Sequence, residues 1–379
     1  MTTDEAILPL PLAGLRVVDI SSVIAGPAAA RYLADFGADV IKVERPTGDG
    51  VRTMGWLDPR DGVTLWWKLV NRNKRCVALD LKDPGDLEVV RSLCDRADVL
   101  IENFRPGTLE RLGLVPDELI ARNPTLVITR VTGFGQDGPY ANRPGFASIA
   151  EALSGFVAVN GEADGPPLLP PVALTDEITG LAAAFATMVA VHSGVGQVID
   201  VNLLESVFQM MGPVMSAFQL TGYLQPRAGS AIPYSVPRGT YLTSDGVWMA
   251  VSASSDTVAV RAMALLGVGH DERFATFAGR AEHRDELDAI VTRFVGERTA
   301  AEVTAAFEEA HAAVAPVLTM ADVAVDPHVT ARGMVVDVEG VPMQGLIARL
   351  SKTPGRLGWV GRDLDADGDE IRAEAADPT

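Results

Sequence analysis

The chain has 379 residues, and its 32 basic and 50 acidic side chains give a formal net charge of −18. This acidic balance argues against duplex nucleic acid as a partner, because such binding depends on neutralising phosphates with Lys and Arg. Hydrophobic residues make up 47% of the sequence. That is a globular composition, and the length predicts about two domains.

The sequence carries no strong signal for secretion, membranes or metals. Cys76 and Cys94 lie outside any CxxC or Cys/His spacing, which predicts two buried thiols in a reducing compartment and no metal site. The first residues lack the basic and apolar segments of a signal peptide, and the longest apolar stretch, residues 181–191, is about half a membrane span. We therefore expect a cytoplasmic protein that does not associate with membranes.

Strands and helices alternate from residue 14 to about residue 131. A helix is predicted from Pro27 to a stop at Gly37, between two buried strands. Further strands are expected after it, and the set of predicted strands is 14–20, 38–44, 76–81, 98–102 and 126–131. The alternation predicts an α/β fold with a doubly wound parallel sheet.

The regular alternation of predicted strands and helices ends after residue 131. A long apolar helix is expected at 202–215, and residues 225–239 have the Pro/Gly composition of a linker. A smaller α+β domain should follow. The expected bounds are 1–225 for the first part of the large domain, 226–325 for the linker and small domain, and 326–379 for a return to the large domain.

The last eighteen residues hold seven acids and two arginines, which predicts a solvated acidic tail. Asp363, Asp365 and Asp367, with Gly368 and Glu374, also match the spacing of an EF-hand calcium loop. Prolines and glycines stand where the entering helix would have to be, and only five residues follow Glu374. We therefore do not expect calcium binding.

Basic residues gather near predicted strand ends. Five of them, Arg60, Lys68, Arg72, Lys74 and Arg75, fall within sixteen residues. Ligands of open α/β sheets bind outside the carboxyl ends of the strands, so Arg45 and the segment 102–105 should face one crevice. Two interpretations remain open at this point: a solvated basic face, or a surface for a phosphate-bearing nucleotide with Phe104 against its ring.

Asp176 opens an Ala-rich helix after a Pro-rich loop. An Asp in this position is often a structural cap. The same geometry keeps a carboxylate ionised, and an ionised carboxylate in a crevice can act as a covalent nucleophile. The residues alone leave both roles open.

Five segments, in order from residue 12 to about 210, resemble the class III CoA-transferases, a family that also contains the α-methylacyl-CoA racemases. They are GLRVVDISSVIAGPAAARYLADFGADVIKVERP, NRNKRCVALDLK, ENFRPGTLERLGL, TGFGQDGPY and TDEITG. The resemblance implies a Rossmann-like large domain, a smaller domain on two linkers and an interlocked homodimer. It also implies coenzyme A or acyl-CoA as substrate, a carboxylic acid as the other substrate and no tightly bound cofactor.

The resemblance further implies roles for individual residues. Asp176 matches the catalytic aspartate, which would form an acyl anhydride and then an aspartyl-CoA thioester. The motif positions implied to line CoA are Ile24, Ala25, Arg45, Asn71, Arg72, Asn73, Lys74, Asn103, Phe104, Arg105, Arg111, Thr132, Gly133 and Phe134.

Two residues of this chain differ from the family pattern and help to distinguish the functional hypotheses. Racemases of the family carry a histidine where this chain has Phe146, which cannot shuttle a proton. Transferases of the family usually carry a carboxylate where this chain has Ala147. Our leading hypothesis is a CoA-transferase acting between an acyl-CoA and a free acid; an acyl-CoA racemase and a non-catalytic CoA-binding relative are the alternatives.

Overall fold

The computed structural model describes residues 8–377. Its strands are β1 (Arg16–Asp19), β2 (Asp39–Glu44), β3 (Lys74–Ala78), β4 (Val99–Glu102), β5 (Val127–Thr132), β6 (Gln197–Asn202), β7 (Arg238–Leu242), β8 (Trp248–Ser252), β9 (Ala313–Pro316), β10 (Val335–Val338) and β11 (Val341–Gln344). Its helices are α1 (Ala25–Ala34), α2 (Leu65–Val70), α3 (Pro84–Asp95), α4 (Thr108–Arg111), α5 (Pro116–Arg122), α6 (Ala147–Leu153), α7 (Phe156–Val159), α8 (Leu174–Ser193), α9 (Leu203–Gln209), α10 (Val214–Thr221), α11 (Asp256–Leu265), α12 (Phe277–Glu282), α13 (Arg284–Gly296), α14 (Ala300–Glu309), α15 (Met320–Val325), α16 (Pro327–Ala331) and α17 (Gly368–Ala376).

Six parallel strands form one sheet in the order β3-β2-β1-β4-β5-β6. Its central strands read as apolar runs because helices cover both faces, and Val17 and Val18 of β1 are fully buried on opposite faces. The predicted parallel α/β fold is confirmed. The strand order reverses between β1 and β4, and the carboxyl ends there form the edge where open α/β sheets bind ligands.

The chain divides into two compact units. The first comprises the residues up to Phe156, Pro170–Gly212 and the residues from Thr330 onward; the second comprises Val157–Leu169 and Pro213–Val329. Within the second unit, β7, β8 and β9 form an antiparallel sheet. The second unit begins earlier than the expected residue 226, and the functions expected of the two domains stay predictions.

The expected helix over 202–215 is wrong, because the structure divides it. The Asn202 side chain starts α9 by accepting a hydrogen bond from the Glu205 amide (2.8 Å), as an N-cap does. Gly212 then takes a positive φ of 58° and Pro213 precedes α10. A left-handed residue followed by proline ends one helix and starts another.

The expected solvated tail is also wrong. Ile371 of α17 is fully buried in the core beneath the sheet. Asp367 and Asp365 accept hydrogen bonds from the main-chain amides of Cys76 and Ala78, each at 2.8 Å. The tail therefore covers β3, which is an edge strand with otherwise unpaired amides, and the two carboxylates of the calcium-like pattern are used for that purpose.

Helix α8 is, among the described residues, the one helix long and apolar enough to cross a membrane by length and composition alone. It packs closely on α1 in this structure. A Cβ added at Gly180 would lie 2.8 Å from the Cβ of Ala28 and 3.0 Å from the carbonyl oxygen of Ala25. Such contacts are those of a core helix of an α/β unit.

Candidate active site

The loop between β1 and α1 lies at the carboxyl edge of the sheet and is fixed by side chains from neighbouring loops. Asn103 accepts a hydrogen bond from the Ser22 amide (2.8 Å) and donates one to the Ser22 carbonyl (2.7 Å). Asp49 accepts the Val23 amide at 3.2 Å, where Val23 has a φ of 67°. A β-branched residue in this left-handed region is strained, so the loop is held in a shape it would not adopt alone. Asn103 therefore acts by shaping the loop.

A group of buried charges lies beneath that loop. Lys74 donates to Asp19 (2.9 Å), to the Pro27 carbonyl (2.8 Å) and to Asn71 (3.0 Å). Lys42 donates to the carbonyl of Ser21 and lies 3.8 Å from Asp19. Burial alone would raise the pKa of Asp19, but Lys42 and Lys74 hold it below its usual value. Asp49 lies 3.7 Å from Lys42, so two lysines and two carboxylates neutralise one another, which is how buried charges are stabilised.

The contact of Asn71, Arg72, Asn73 and Lys74 with CoA stays a prediction, and the structure shows where their side chains lie. Their side chains are all at least nine-tenths buried. The Arg72 guanidinium forms two hydrogen bonds with Asp35 (2.9 and 2.6 Å), and Asn73 donates to the same carboxylate (3.1 Å). In this structure these side chains face protein groups and hold the start of β3.

Three other predicted arginines have the opposite character. Arg45 follows β2, Arg105 follows β4, and Arg111 ends α4. All three are exposed, and none forms an ion pair within residues 8–377. Arg45 donates only to the Gly48 carbonyl (2.7 Å) and Arg111 to the Thr108 hydroxyl (2.7 Å).

Lys82 joins this set and was missed by the sequence reasoning. It is exposed, follows the carboxyl end of β3 and has no ion-pair partner in the described part of the chain. Its position just past a predicted strand could have found it. Free cations therefore follow β3, β2 and β4, at the edge where an anion would be bound.

The remaining residues that were predicted to line CoA make contacts with other protein groups. Phe104 packs against the buried cluster beneath the sheet. The Thr132 hydroxyl accepts the Gly135 amide (2.9 Å), and Phe134 meets Tyr140 edge-on at 6.0 Å. A Cβ on Gly133 would lie 2.9 Å from the Cα of Gly145, so glycine is needed there for close approach of two loops.

Asp176 is the third residue of α8 and does not cap the helix. The N-cap position is Ala173, with no side-chain hydrogen bond. Ala173 packs in the same apolar cluster as Ile24, and Gly180, one turn after Asp176 on the same face, contacts α1. Asp176 therefore lies on α8 between two contacts with the start of α1, which includes the predicted residues Ile24 and Ala25.

The electrostatics of Asp176 are unusual for an aspartate. No hydrogen bond or ion pair to its side chain exists among the described residues. Burial is the main cause that raises the pKa of Asp176 to about 6, and the neighbouring carboxylates Glu151 and Glu177 add to it. A carboxylate with this pKa is mostly ionised at neutral pH yet more basic than an ordinary Asp, which suits a nucleophile.

Glu151 is a second functional candidate that the sequence reasoning missed. It lies on α6, four residues after Ala147, the position where we expected a carboxylate and found none. Its Oε1 accepts a hydrogen bond from the Thr175 hydroxyl (2.8 Å). A four-residue step keeps the same helix face, so the spacing could have indicated it.

No group of three or more potential ligands that could hold a metal ion occurs in residues 8–377. Cys76 and Cys94 are buried as predicted. Burial raises the pKa of each thiol to about 12, which makes both unreactive at neutral pH.

Comparisons with known proteins agree with this geometry. The family model described as CoA-transferase family III matches residues 12–367. The chain belongs to CoA-transferase family III. The family resemblance is confirmed, and the protein is an enzyme with CoA-transferase activity.

Among curated family III relatives, the succinyl-CoA–D-citramalate CoA-transferase of Chloroflexus aurantiacus is 38% identical over 376 residues, covering 96% of this chain and 93% of the relative. The succinate–glutarate CoA-transferase of Agrobacterium fabrum is 36% identical over 342 residues, covering 87% of this chain and 85% of the relative. A solved CAIB/BAIF family structure from Brucella suis has a TM-score of 0.85 at 34% identity and covers 97% of this chain and all of that one.

Proposed function

We propose that this family III enzyme moves CoA from an acyl-CoA thioester to a free carboxylic acid through covalent intermediates on Asp176. The observation that carries the proposal is the Asp176 carboxylate itself. It stands in the first turn of α8 beside the start of α1 and has no hydrogen-bond or ion-pair partner among residues 8–377. Its raised pKa of about 6 makes it a stronger nucleophile than a solvated aspartate.

The proposed transfer passes through two covalent intermediates on Asp176. An Asp176 oxygen bonds to the thioester carbonyl carbon, the C–S bond breaks, and CoA leaves as its thiolate, so that a mixed anhydride forms. The thiolate then attacks the Asp176 carbonyl carbon and releases the donor acid as its carboxylate. The acceptor carboxylate reverses both steps, and no net water is consumed. The covalent route conserves the thioester energy because each intermediate is an activated acyl group.

We propose that the phosphates of CoA are bound by the exposed cations at the sheet edge, Arg45, Arg105, Arg111 and Lys82. They have no ion-pair partners within residues 8–377, which supports this role because an unpaired surface guanidinium is available for bidentate contact with phosphate. Ile24 and Ala25 would contribute main-chain contacts. The first amides of a helix have no partner within the helix, and in α1 no side chain at the N-cap position binds them.

For the acids exchanged, we propose short dicarboxylic acids. Two relatives that this chain resembles are named for succinyl-CoA with citramalate and for succinate with glutarate. An activity assay that pairs succinyl-CoA with a panel of mono- and dicarboxylic acids tests which class of acid is the acceptor. Transfer to dicarboxylic acids is the expected result, and transfer to monocarboxylic acids alone would contradict it.

Trapping of the covalent intermediate tests the mechanism. The wild-type enzyme is incubated with succinyl-CoA, quenched and analysed by mass spectrometry, and hydroxylamine converts an activated Asp176 to a hydroxamate. We expect the adduct on the wild type and none on Asp176→Ala. Isotope exchange at Cα from deuterated water without an acceptor acid would instead support the racemase alternative, for which Phe146 offers no proton-transfer group.

We also propose that the enzyme is a homodimer. Leu181, Phe185 and Val189 form an exposed apolar stripe on α8, and Phe185 is 71% exposed. Stripes of this kind mark protein interfaces. Light scattering should give twice the chain mass, and Phe185→Asp should shift the enzyme toward the monomer; a monomeric wild type would exclude the dimer.

A further inference from the structure

Glu151 is joined directly to the turn that carries Asp176. Its side chain is buried at 3% exposure, and its Oε1 accepts the Thr175 hydroxyl at 2.8 Å. Thr175 is fully buried and precedes Asp176 in the first turn of α8. A shift of Glu151 would therefore move the turn that presents the nucleophile.

Glu151 is also a buried carboxylate without a cation. No Lys, Arg or His forms an ion pair with it in the part of the chain that the structure describes. The cation that α1 contributes, Arg31, is bound to Glu177 at 2.9 Å, and the Tyr32 hydroxyl donates to the same oxygen at 2.9 Å. Buried carboxylates are normally paired, so an unpaired one beside a nucleophile calls for a functional explanation.

The other elements packed on α8 do not supply a countercharge. Arg130 of β5 is bound to Glu102 and Glu110. Asp200 of β6 accepts the Gln136 amide, and Glu205 of α9 is exposed. The charged groups that raise the pKa of Asp176 are accordingly carboxylates, Glu151 before Glu177.

The position of α6 is set by close packing. The loop after β5 and the residue before the α6 N-cap touch through Gly133 and Gly145, where an added Cβ would come within 2.9 Å of the facing Cα. Neither glycine can be replaced without separating the loops. Glu151 is thus held by a rigid element, whereas the Asp176 carboxylate has no bond to restrain it.

We propose that Glu151 is a positioning residue for the acylation of Asp176: it fixes the first turn of α8 through Thr175, and its negative charge favours the transfer of charge from Asp176 to the leaving thiolate. The inference rests on the proposed function. As the Asp176 oxygen bonds to the acyl carbon and the C–S bond breaks, the negative charge moves from Asp176 to sulfur. Repulsion between the two carboxylates exists before this step and is absent after it.

The test measures the rate at which succinyl-CoA acylates Asp176, by quenched mass spectrometry between pH 4.5 and 8. Glu151→Gln keeps an oxygen that accepts from Thr175 but removes the charge. The acid limb of its profile should move to lower pH, because a neighbouring negative charge raises the pKa of a carboxyl. The plateau rate should fall about tenfold, the change that corresponds to one pKa unit.

Two further variants separate charge from packing. Glu177→Gln is the matched control on the same pH profile, and its limb should move less because Arg31 already neutralises Glu177. Thr175→Val keeps the Glu151 charge and loses the hydroxyl, so we expect a lower plateau with the limb in the wild-type position. If Glu151→Gln does not fold, Glu151→Asp provides the test. This variant keeps the negative charge, so the acid limb of its pH profile should stay in the wild-type position.

The outcomes distinguish this inference from the function on which it rests. A wild-type enzyme that forms no Asp176 adduct would contradict the proposed function. An adduct on the wild type, together with an unmoved acid limb in Glu151→Gln or a moved limb in Glu151→Asp, would overturn the role of Glu151 alone. KM for succinyl-CoA should stay within about twofold in Glu151→Gln, since uniform substrate binding is not involved.

Discussion

Two groups of buried carboxylates lie in the same α/β unit and differ in what surrounds them. Asp19 lies between Lys42 and Lys74, which hold its pKa below the usual value. Asp176 lies beside two other carboxylates, and its pKa is raised to about 6. With Asp49, which lies 3.7 Å from Lys42, the first group is neutral as a whole and holds a loop in place, whereas the second carries excess negative charge above the pKa of Asp176. In this protein, the buried carboxylate that is neutralised by lysines has a structural role, and we propose a catalytic role for the one that is not neutralised.

Asp176→Asn is expected to have the largest effect, because it removes the proposed nucleophile of the carboxylate group that is not neutralised. Loss of the nucleophile should lower transfer activity by about 10⁴-fold or more, the scale seen when covalent nucleophiles are removed. A steady-state assay with succinyl-CoA and an acceptor acid measures this. Activity within tenfold of the wild type would contradict a covalent role.

The same substitution should stabilise the fold above pH 6. Folding raises the pKa of Asp176 from 3.8 to about 6, so the folded state binds its proton more tightly and loses stability as the pH rises between those values. Asn carries no charge to bury, and the gain should reach at most about 3 kcal/mol near pH 7.5 and vanish below pH 4. Urea unfolding at the two pH values measures it; equal stabilities at pH 7.5 would be inconsistent with the raised pKa.

Asp19→Asn tests the neutralised group. It leaves Lys74 buried without its carboxylate partner and Lys42 with Asp49 alone, which should cost about 3–5 kcal/mol of unfolding free energy. Urea denaturation is the measurement. Asp271→Asn is the control, because its partner Arg273 is exposed, and it should change stability very little. A mild effect of Asp19→Asn would mean that water already solvates the group.

Gly180→Ala tests whether helix packing holds Asp176 beside α1. The new methyl would come 2.8 Å from the Cβ of Ala28, so α8 must shift outward at a cost of about 1–3 kcal/mol. We expect a larger loss of kcat than of stability, because the nucleophile moves with the helix. Gly296→Ala at the end of α13, where an added Cβ makes an ordinary 3.7 Å contact with the Leu242 carbonyl oxygen, is the control, and identical kinetics for both variants would remove the packing argument.

The smallest effects are expected at the sheet edge. Arg45→Ala and Arg111→Ala should each weaken CoA binding by about 1–3 kcal/mol, the scale of a charge-assisted hydrogen bond. Isothermal titration with CoA measures this, and Arg261→Ala in the second unit is the control. Unchanged affinity in both variants would exclude this edge as the phosphate site.

The sequence predicted the sheet well because its strands are short apolar runs bounded by helix starts and stops, and Asp176 was found through its motif. It failed where the partner of a charge is distant in sequence. Arg72 was predicted to line CoA, but the sequence could not show that it pairs with Asp35, because a buried and an exposed basic residue look alike in a sequence. Lys82 and Glu151 were missed although a local signal exists for each, the position after a predicted strand for Lys82 and the four-residue step from Ala147 for Glu151.

The last residues of the chain close an edge that its first hundred residues create. Strand β3 exposes the amides of Cys76 and Ala78 until Asp365 and Asp367 bind them. Synthesis proceeds from the N-terminus, and domains begin to fold as they emerge. The open strand must therefore wait until Asp365 and Asp367 have been made, and during that interval it can pair with another chain. Truncation of the acidic end should accordingly harm yield and solubility before it affects catalysis.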